Sequence, residues 1–320
     1  MITAITLTEQ QSSIDMIEHE LERDPRLASP NSRRGYLSDL ARFETWRAGR
    51  PMSKTLVEEY ASQLLGEGKS PNSINRSLAA VRWWARRLAD LAIESPMPKE
   101  QREEFIFQSE RISRLKNVKG ERPHRGRHIA DDEIAKLIEA CIKDKTCRGI
   151  RDTAIICLAI ASGMRRSEIA ELHYSNFVRV GDEKAELRVH GKGNKVRLIP
   201  LNNGALLALS KWLAVRGVDD GPMFYAITRG DGVMKGHGLS DEALAQMLAK
   251  RVTEAEIDQH TTWHDFRRSF AGNLLTNGVD ISITQKLMGH ASPVTTSIYD
   301  RRPEELKRRA IQTIRVPYAR

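Results

Sequence analysis

Four short segments of this 320-residue chain hold side chains that could act on a phosphate. In Ser162-Gly163-Met164-Arg165-Arg166-Ser167-Glu168-Ile169, Gly163 stops one helix and Arg165 stands where the next begins. A cationic side chain at a helix start suits an anion. In Gly191-Lys192-Gly193-Asn194, two glycines flank a lysine, so the backbone can turn tightly and present the amine at its tip. In Trp263-His264-Asp265-Phe266-Arg267-Arg268-Ser269-Phe270, His264 and Arg267 lie three apart on one helix face, with Phe266 and Phe270 turned toward the core. In the fourth segment, Leu287 to Tyr299, Gly289 closes a helix, His290 follows it and Ser292-Pro293 opens another, with Tyr299 about two turns along.

Each segment alone has a plainer reading: a surface arginine after a helix stop, an exposed hairpin lysine, a packed histidine or tyrosine. His260 and His264 also have the H-x3-H spacing that zinc sites use. No acidic ligand stands near them in the manner of a zinc peptidase, and their neighbours are cationic, so no metal is expected.

The elements that must hold these segments follow from periodicity. Asp131 to Lys143 is an amphipathic helix with Ile134, Leu137, Ile138, Cys141 and Ile142 on one face, and Asp152 to Ser162 is an apolar helix. Near Ser167 a short helix begins. Ala185–His190 and Lys195–Pro200 read as two strands of a hairpin. Helices return at about 203–216, 240–258, 263–277, 280–289 and 293–300. Upstream, Ser29-Pro30-Asn31-Ser32 and Ser70-Pro71-Asn72-Ser73 have the Ser-cap, Pro-first signature of a helix start. The first of these helices carries the stripe Tyr36, Leu40, Phe43; the second carries Ile74, Leu78, Val81, Leu88. Ser53 to Leu65 lies between them, closed by Gly66 and Gly68. The second helix also bears Arg76, Arg82, Arg86 and Arg87, an ordinary solvated face taken alone and candidate DNA contacts once the basic excess of the chain is counted.

Charge divides the chain further. The 51 Lys and Arg against 42 Asp and Glu give +9, which points to an anionic partner such as nucleic acid. Residues 1–24 run the other way, with six acids and one base, and read as a solvated helix or a docking segment. Residues 96–127 read as a basic linker: Pro96 and Pro98 break the preceding helix, and 111–127 holds seven bases and one acid. The longest apolar stretch, Thr153 to Met164, is about 12 residues where a membrane span needs about 20. The N-terminus has no basic n-region or cleavage signature. Cys141, Cys147 and Cys157 form no CxxC and are odd in number, as reduced thiols of a cytoplasmic protein would be.

Together the four segments resemble, in type, order and spacing, the tyrosine recombinase family, the phage integrases and Xer-type recombinases. The resemblance rests on Arg165 with Glu168 in a Gly-hydrophobe-Arg-x-x-Glu box, Lys192 in a Gly-Lys-Gly turn, His264 and Arg267 in His-x-x-Arg, and Leu-x-Gly-His ending at His290 with Tyr299 nine residues on. These motifs cover about 165–299, and the 26-residue gap from His264 to His290 fits Xer-like members. Arg268 departs from the histidine that Xer-like members often carry there.

The resemblance implies a mainly α fold: an all-helical core-binding domain at 25–95, then a mostly helical catalytic domain at 128–300 with a small antiparallel β-sheet, and a basic C-terminal tail at 301–320. It implies a site-specific recombinase that acts on double-stranded DNA as a tetramer on two sites, for integration, excision or resolution of DNA elements. A second recombinase or an accessory protein stands as an open addition to that assembly. The tail, with seven bases against Glu304 and Glu305, would dock on a neighbouring protomer, and Glu304 to Ile314 reads as a short helix.

A tyrosine hydroxyl has a pKa of about 10, so roughly 0.1% is ionised at neutral pH and attack on a phosphodiester needs help. Arg165 and Arg267 can clamp the non-bridging oxygens. By resemblance, Lys192 protonates the 5′-oxygen leaving group, His264 and His290 hold the phosphate and assist proton movement, Glu168 orients the neighbouring cations, and Tyr299 is the nucleophile. The 3′-phosphotyrosine link would store the bond energy, so no cofactor, metal or ATP is expected, in keeping with the lack of a GxxxxGK[ST] loop. Two alternatives remain at this point: type IB topoisomerase chemistry, and a DNA-binding relative that does not cut.

Overall fold

The computed structural model describes residues 7–120, 126–181, 183–191, 195–201, 203–290, 296 and 311, with side chains from Ser13 onward. The chain divides into two compact units, Met1–His124 and Arg125–Arg320.

The first unit is helical throughout its described residues: α1 (Leu7–Arg23), α2 (Pro30–Arg47), α3 (Lys54–Gly66), α4 (Pro71–Glu94) and α5 (Lys99–Ser113). Proline opens both α2 and α4, where its missing N–H costs nothing. Ser70 Oγ caps α4 by accepting from Ser73 N at 3.3 Å, and Ser53 Oγ caps α3 through Leu56 N at 3.2 Å. Ser29 stands at the N-cap of α2 by backbone conformation, but its side chain makes no capping bond. The expected stripes meet in one core: Leu40, Phe43, Ile74, Leu78 and Val81 are buried with Val57, Tyr60 and Trp84, while Leu88 packs at its edge.

One sequence expectation is narrowed here and another corrected. The acidic N-terminal segment, read as a solvated helix or a docking segment, is a helix that docks. Its helix α1 buries Ile17 and Leu21 in this core, and its buried Glu20 pairs with Arg87. The basic stretch 96–127 is not simply a linker, because residues 99–113 form α5, packed on the same core through the fully buried Ile112. Asn75 exchanges two bonds with Val118 (3.0 and 2.8 Å), and Gln108 accepts from Lys54 N at 3.2 Å. Pro96 follows the Ser95 C-cap of α4 and Pro98 is the N-cap of α5, while Arg111 in the last turn of α5 complements the helix dipole.

The second unit holds α6 (Asp131–Lys143), α7 (Cys147–Ser162), α8 (Arg166–Ala170), β1 (Phe177–Arg179), β2 (Ala185–Gly191), β3 (Lys195–Leu201), α9 (Asn203–Arg216), β4 (Tyr225–Ile227), β5 (Val233–Gly238), α10 (Asp241–Glu254), α11 (Trp263–Thr276) and α12 (Ile281–Met288). The fold is mainly helical with small antiparallel sheets: β1-β2-β3, and a separate β4–β5 pair that periodicity did not foretell. In the first sheet Leu187 faces Ile199 and Val189 faces Arg197. The sheet lays Leu187, Val189, Ile199 and Leu201 against α7 and α9 residues such as Leu158 and Trp212. Helix α7 starts five residues before the expected Asp152, capped by Thr146 Oγ1, and α10 ends at Glu254 rather than 258. The helices expected at 293–300 and 304–314 lie outside the described residues apart from Thr296 and Ile311.

A buried ionic cluster ties α7 to α10. Arg251, 1% exposed, donates to Asp152 (2.9 Å), Asp144 (2.7 Å) and Glu254 (2.7 Å), and Arg151 takes the other oxygen of Asp152 at 2.7 Å. Arg251→Ala would leave the buried Asp152 with one oxygen unpaired and only Arg151 as a partner, and would remove the cation from Asp144 and Glu254. We expect a loss of about 3–5 kcal/mol in folding free energy, measured by urea denaturation. Cys141, Cys147 and Cys157 are free thiols, and burial pushes Cys141 up to about 12. Among the described residues no helix is long and apolar enough to cross a membrane.

Candidate active site

Four helix ends and one strand converge in the second unit. Helix α7 stops at Gly163, whose φ of +56° is left-handed. A Cβ there would lie 2.4 Å from Phe270 Cδ1, so the close pass of α11 requires glycine. Arg165 then opens α8 in an extended conformation. Its backbone N–H and its Nη1 both donate to Glu168, at 2.8 Å each. Glu168 is buried, and Arg197 on β3 grips it with Nη1 at 3.0 Å and Nη2 at 2.7 Å. Burial alone would raise this carboxyl, but the bonds from Arg197 and Arg165 outweigh it and hold the group ionised below its ordinary value.

Helix α12 stops at Gly289, also left-handed at φ +62°. The His290 backbone is held at both ends by Gln285: its N–H donates to the Gln285 carbonyl at 3.1 Å, and its carbonyl accepts from Gln285 Nε2 at 3.0 Å. Its Nδ1 lies 2.9 Å from Thr296 Oγ1. The first turn of α11 is fixed by Asp265, which accepts from Thr262 N and from Arg127 N, each at 2.7 Å. That turn carries Arg267, 4% exposed, which donates to the Gly163 carbonyl at 2.6 Å and to the Met288 carbonyl. One guanidinium therefore holds the ends of α7 and α12, and with them the residues two positions on, Arg165 and His290.

The electrostatics match. Burial first, then Arg267, Arg165 and Arg197, push His290 down to about 4. His264 keeps an exposed face, yet partial burial and Arg267 lower it as well. The free protein thus holds neutral imidazoles among fixed guanidinium cations at neutral pH. The unfolded chain, with ordinary histidine near ~6.5, binds the extra proton first. The His290 contribution to stability is therefore fully present above pH ~6.5 and is lost as pH falls toward 4. The His290 ring protons should titrate near pH 4 by NMR, and a midpoint near 6.5 would contradict this environment.

The structure thus brings Arg165, Glu168, Arg267 and His290 together, with His264 on the same turn as Arg267. Lys192 and Tyr299 lie outside the described residues. Gly191, just before Lys192, packs near Arg197 and Glu168. Among the described residues no three His, Cys, Asp or Glu side chains gather as a metal site.

In the first unit the four arginines of α4 have different surroundings. Arg76 donates to the buried Asp39 at 2.7 and 3.1 Å, Arg82 to the Leu115 carbonyl at 2.7 Å and Asn117 at 3.0 Å, and Arg87 to Glu20. Arg86 is exposed and, among the described residues, bonds within its own helix, to the Arg82 carbonyl at 3.2 Å.

Arg197 escaped sequence reasoning. In Lys195-Val196-Arg197-Leu198-Ile199 the apolar residues Val196 and Leu198 suggest the inward face, but they are 55% and 51% exposed while Arg197 and Ile199 turn inward. No local signal marks this inversion.

A part-exposed arginine locked by a carboxylate, a buried arginine and an uncharged imidazole can together neutralise a phosphoryl group and handle a proton. The phage integrase family model matches residues 127–305, and the phage integrase N-terminal SAM-like domain model matches residues 20–89. The chain is 33% identical over 272 residues to tyrosine recombinase XerA of Pyrococcus furiosus (82% of this chain, 88% of that protein). It is 29% identical over 280 residues to tyrosine recombinase XerC of Alcanivorax borkumensis (86% and 84%). Its fold resembles that of a lambda integrase tetramer bound to a Holliday junction, with a TM-score of 0.62 at 16% identity, covering 93% of this chain and 78% of that one.

Proposed function

The chain belongs to the phage integrase family of tyrosine recombinases, and from that membership we infer that it is a site-specific DNA recombinase that cuts and rejoins double-stranded DNA through a 3′-phosphotyrosine link, four copies acting on two sites. The observation that carries this reading is the convergence of Arg165, Arg267 and His290 on one place, tied together by the bonds of Arg267 to the Gly163 and Met288 carbonyls.

In the proposed reaction the Tyr299 hydroxyl oxygen attacks phosphorus and the bond to the 5′-oxygen breaks. Arg165 and Arg267 balance the charge that grows on the non-bridging oxygens. Lys192 gives its proton to the departing 5′-oxygen. His290, neutral before DNA arrives, can hold or pass the proton that leaves the tyrosine, and His264 supports the phosphate from the same turn as Arg267. Attack by a 5′-hydroxyl reverses each step, so no external energy source enters. Positioning on the duplex falls to basic groups on the backbone, and sequence choice to contacts with base edges. The +9 chain acts on DNA in the cytoplasm, at the nucleoid.

The test is an SDS-resistant protein–DNA adduct on nicked duplexes cut from DNA flanking the gene. A nick a few nucleotides 3′ of the scissile phosphate lets the short fragment that carries the new 5′-hydroxyl diffuse away and traps the link. We expect an adduct at one defined phosphate, which maps the site. Binding without an adduct on any fragment would overturn the cutting reaction.

A further inference from the structure

We propose that Arg197 is the positioning residue that aims Arg165 and His290 at the phosphate, through Glu168 on one side and the Leu287 carbonyl on the other. This rests on the recombinase reading above. All three nitrogens of the Arg197 guanidinium are engaged in these contacts. Nη1 and Nη2 reach the two Glu168 oxygens at 3.0 and 2.7 Å, and Nε reaches the Leu287 carbonyl at 2.9 Å. The two Glu168 oxygens also receive Arg165, so the phosphate-facing arginine shares its anchor with Arg197. Gly289, the residue before His290, passes so close that a Cβ there would stand 3.1 Å from Arg197 Nη1.

Arg197 itself is only 10% exposed at its side chain, whereas Arg165 is 40% exposed. The division of labour follows: Arg165 faces outward to a ligand and Arg197 does not. Charge also argues for a dedicated role. A strand position opposite Val189 on the core face would ordinarily take an aliphatic residue. An ion pair there adds little net stability over a well-packed apolar pair, but a bidentate fork fixes Glu168 in both position and rotation. Lysine, a point charge, could not hold both oxygens and the carbonyl at once.

The test uses the full chain with Arg197→Ala and Arg197→Lys on the nicked duplex mapped by the adduct. The scissile group is either the normal diester or a methylphosphonate, which lacks one anionic oxygen and leans less on a well-aimed cation. We expect unchanged DNA affinity and diester cleavage slowed on the order of 10²-fold, the cost of roughly 1 Å of misplacement. Most of that deficit should disappear on the methylphosphonate. Normal cleavage by both variants, or an equal deficit on both substrates, would overturn the proposal.

Hydrogen exchange reads the same claim without turnover. Faster exchange should appear together at 165–169 and 287–290 and not across the rest of the unit. A uniform loss of protection would make Arg197 an ordinary fold residue and overturn the proposal. If the wild type itself forms no adduct, the recombinase reading fails, while the exchange pattern still decides whether Arg197 couples these two segments.

Discussion

Tyr299→Phe should eliminate the covalent protein–DNA adduct while leaving DNA binding intact. The substitution removes one oxygen, the atom that must bond to phosphorus, and nothing else in shape. The expected loss is therefore down to background rather than a partial slowing. The rival tyrosines are poorly suited to replace it. Tyr225 is 1% exposed, with its hydroxyl accepting from Arg216 at 3.3 Å, and Tyr60 is equally buried, with its hydroxyl pushed up by burial. Tyr174 lies under the Arg216 guanidinium, 5.0 Å from its ring centre, and Tyr36 packs edge-on against Trp83. Tyr318 lies outside the described residues and follows no Gly-His box. The measurement is a denaturing gel of the trapped nicked duplex, with a gel-shift of the same samples. An adduct that survives in the variant would move the nucleophile to another tyrosine.

Arg267→Ala should cost at least ~100-fold in cleavage, the usual penalty for losing one donor to a developing oxyanion. The structure adds a second consequence. The side chain is buried and gives hydrogen bonds to the Gly163 and Met288 carbonyls, which would lose a charged donor. Leaving a buried acceptor unsatisfied costs about 1–3 kcal/mol. We therefore expect a lowered melting temperature alongside the catalytic defect, with DNA affinity largely retained because exposed cations elsewhere carry it. Arg267→Lys should recover some stability and little cleavage, since an ammonium cannot span two carbonyls and a phosphate. Single-turnover cleavage and a thermal melt on the same preparations separate the two effects, and normal cleavage by the alanine variant would remove Arg267 from the reaction.

Much of this architecture was legible because its signals are local. Helix α6 spans the expected Asp131–Lys143, since an apolar face at helical spacing and three acids in the first turn both mark it. The β2–β3 hairpin followed from two alternating runs around a glycine-flanked turn. The two helix stops beside the candidate site were equally readable, because Gly163 and Gly289 end α7 and α12 just ahead of Arg165 and His290. What stayed hidden depends on contacts between distant segments. Helix α5 follows a proline pair and leads into the basic run of 111–127, both of which mimic a linker, and contacts such as those of Ile112 and Gln108 reveal its docking. The acids of α1 concealed that Ile17 and Leu21 point the other way. Strand β4 is three residues long, too short for a period to register. Arg197 inverts the apparent face of β3 for the sake of Glu168, a partner 29 residues earlier.

The bonds that tie the site together have a consequence for the order in which the protein acquires its structure. Arg267 reaches back 104 residues to Gly163 and forward 21 to Met288, and Arg197 reaches forward 90 to Leu287. Contacts of such sequence separation form late, after local helices and hairpins have shortened the loops that must close. During synthesis, α7, α8 and the β-hairpin emerge well before α11 and α12, so a growing chain holds half of each arginine's partners and no assembled centre. Competence to break DNA would then arise in one of the last steps of maturation, once the C-terminal helices are free to dock, and an incomplete chain would be unable to nick the genome it was made from.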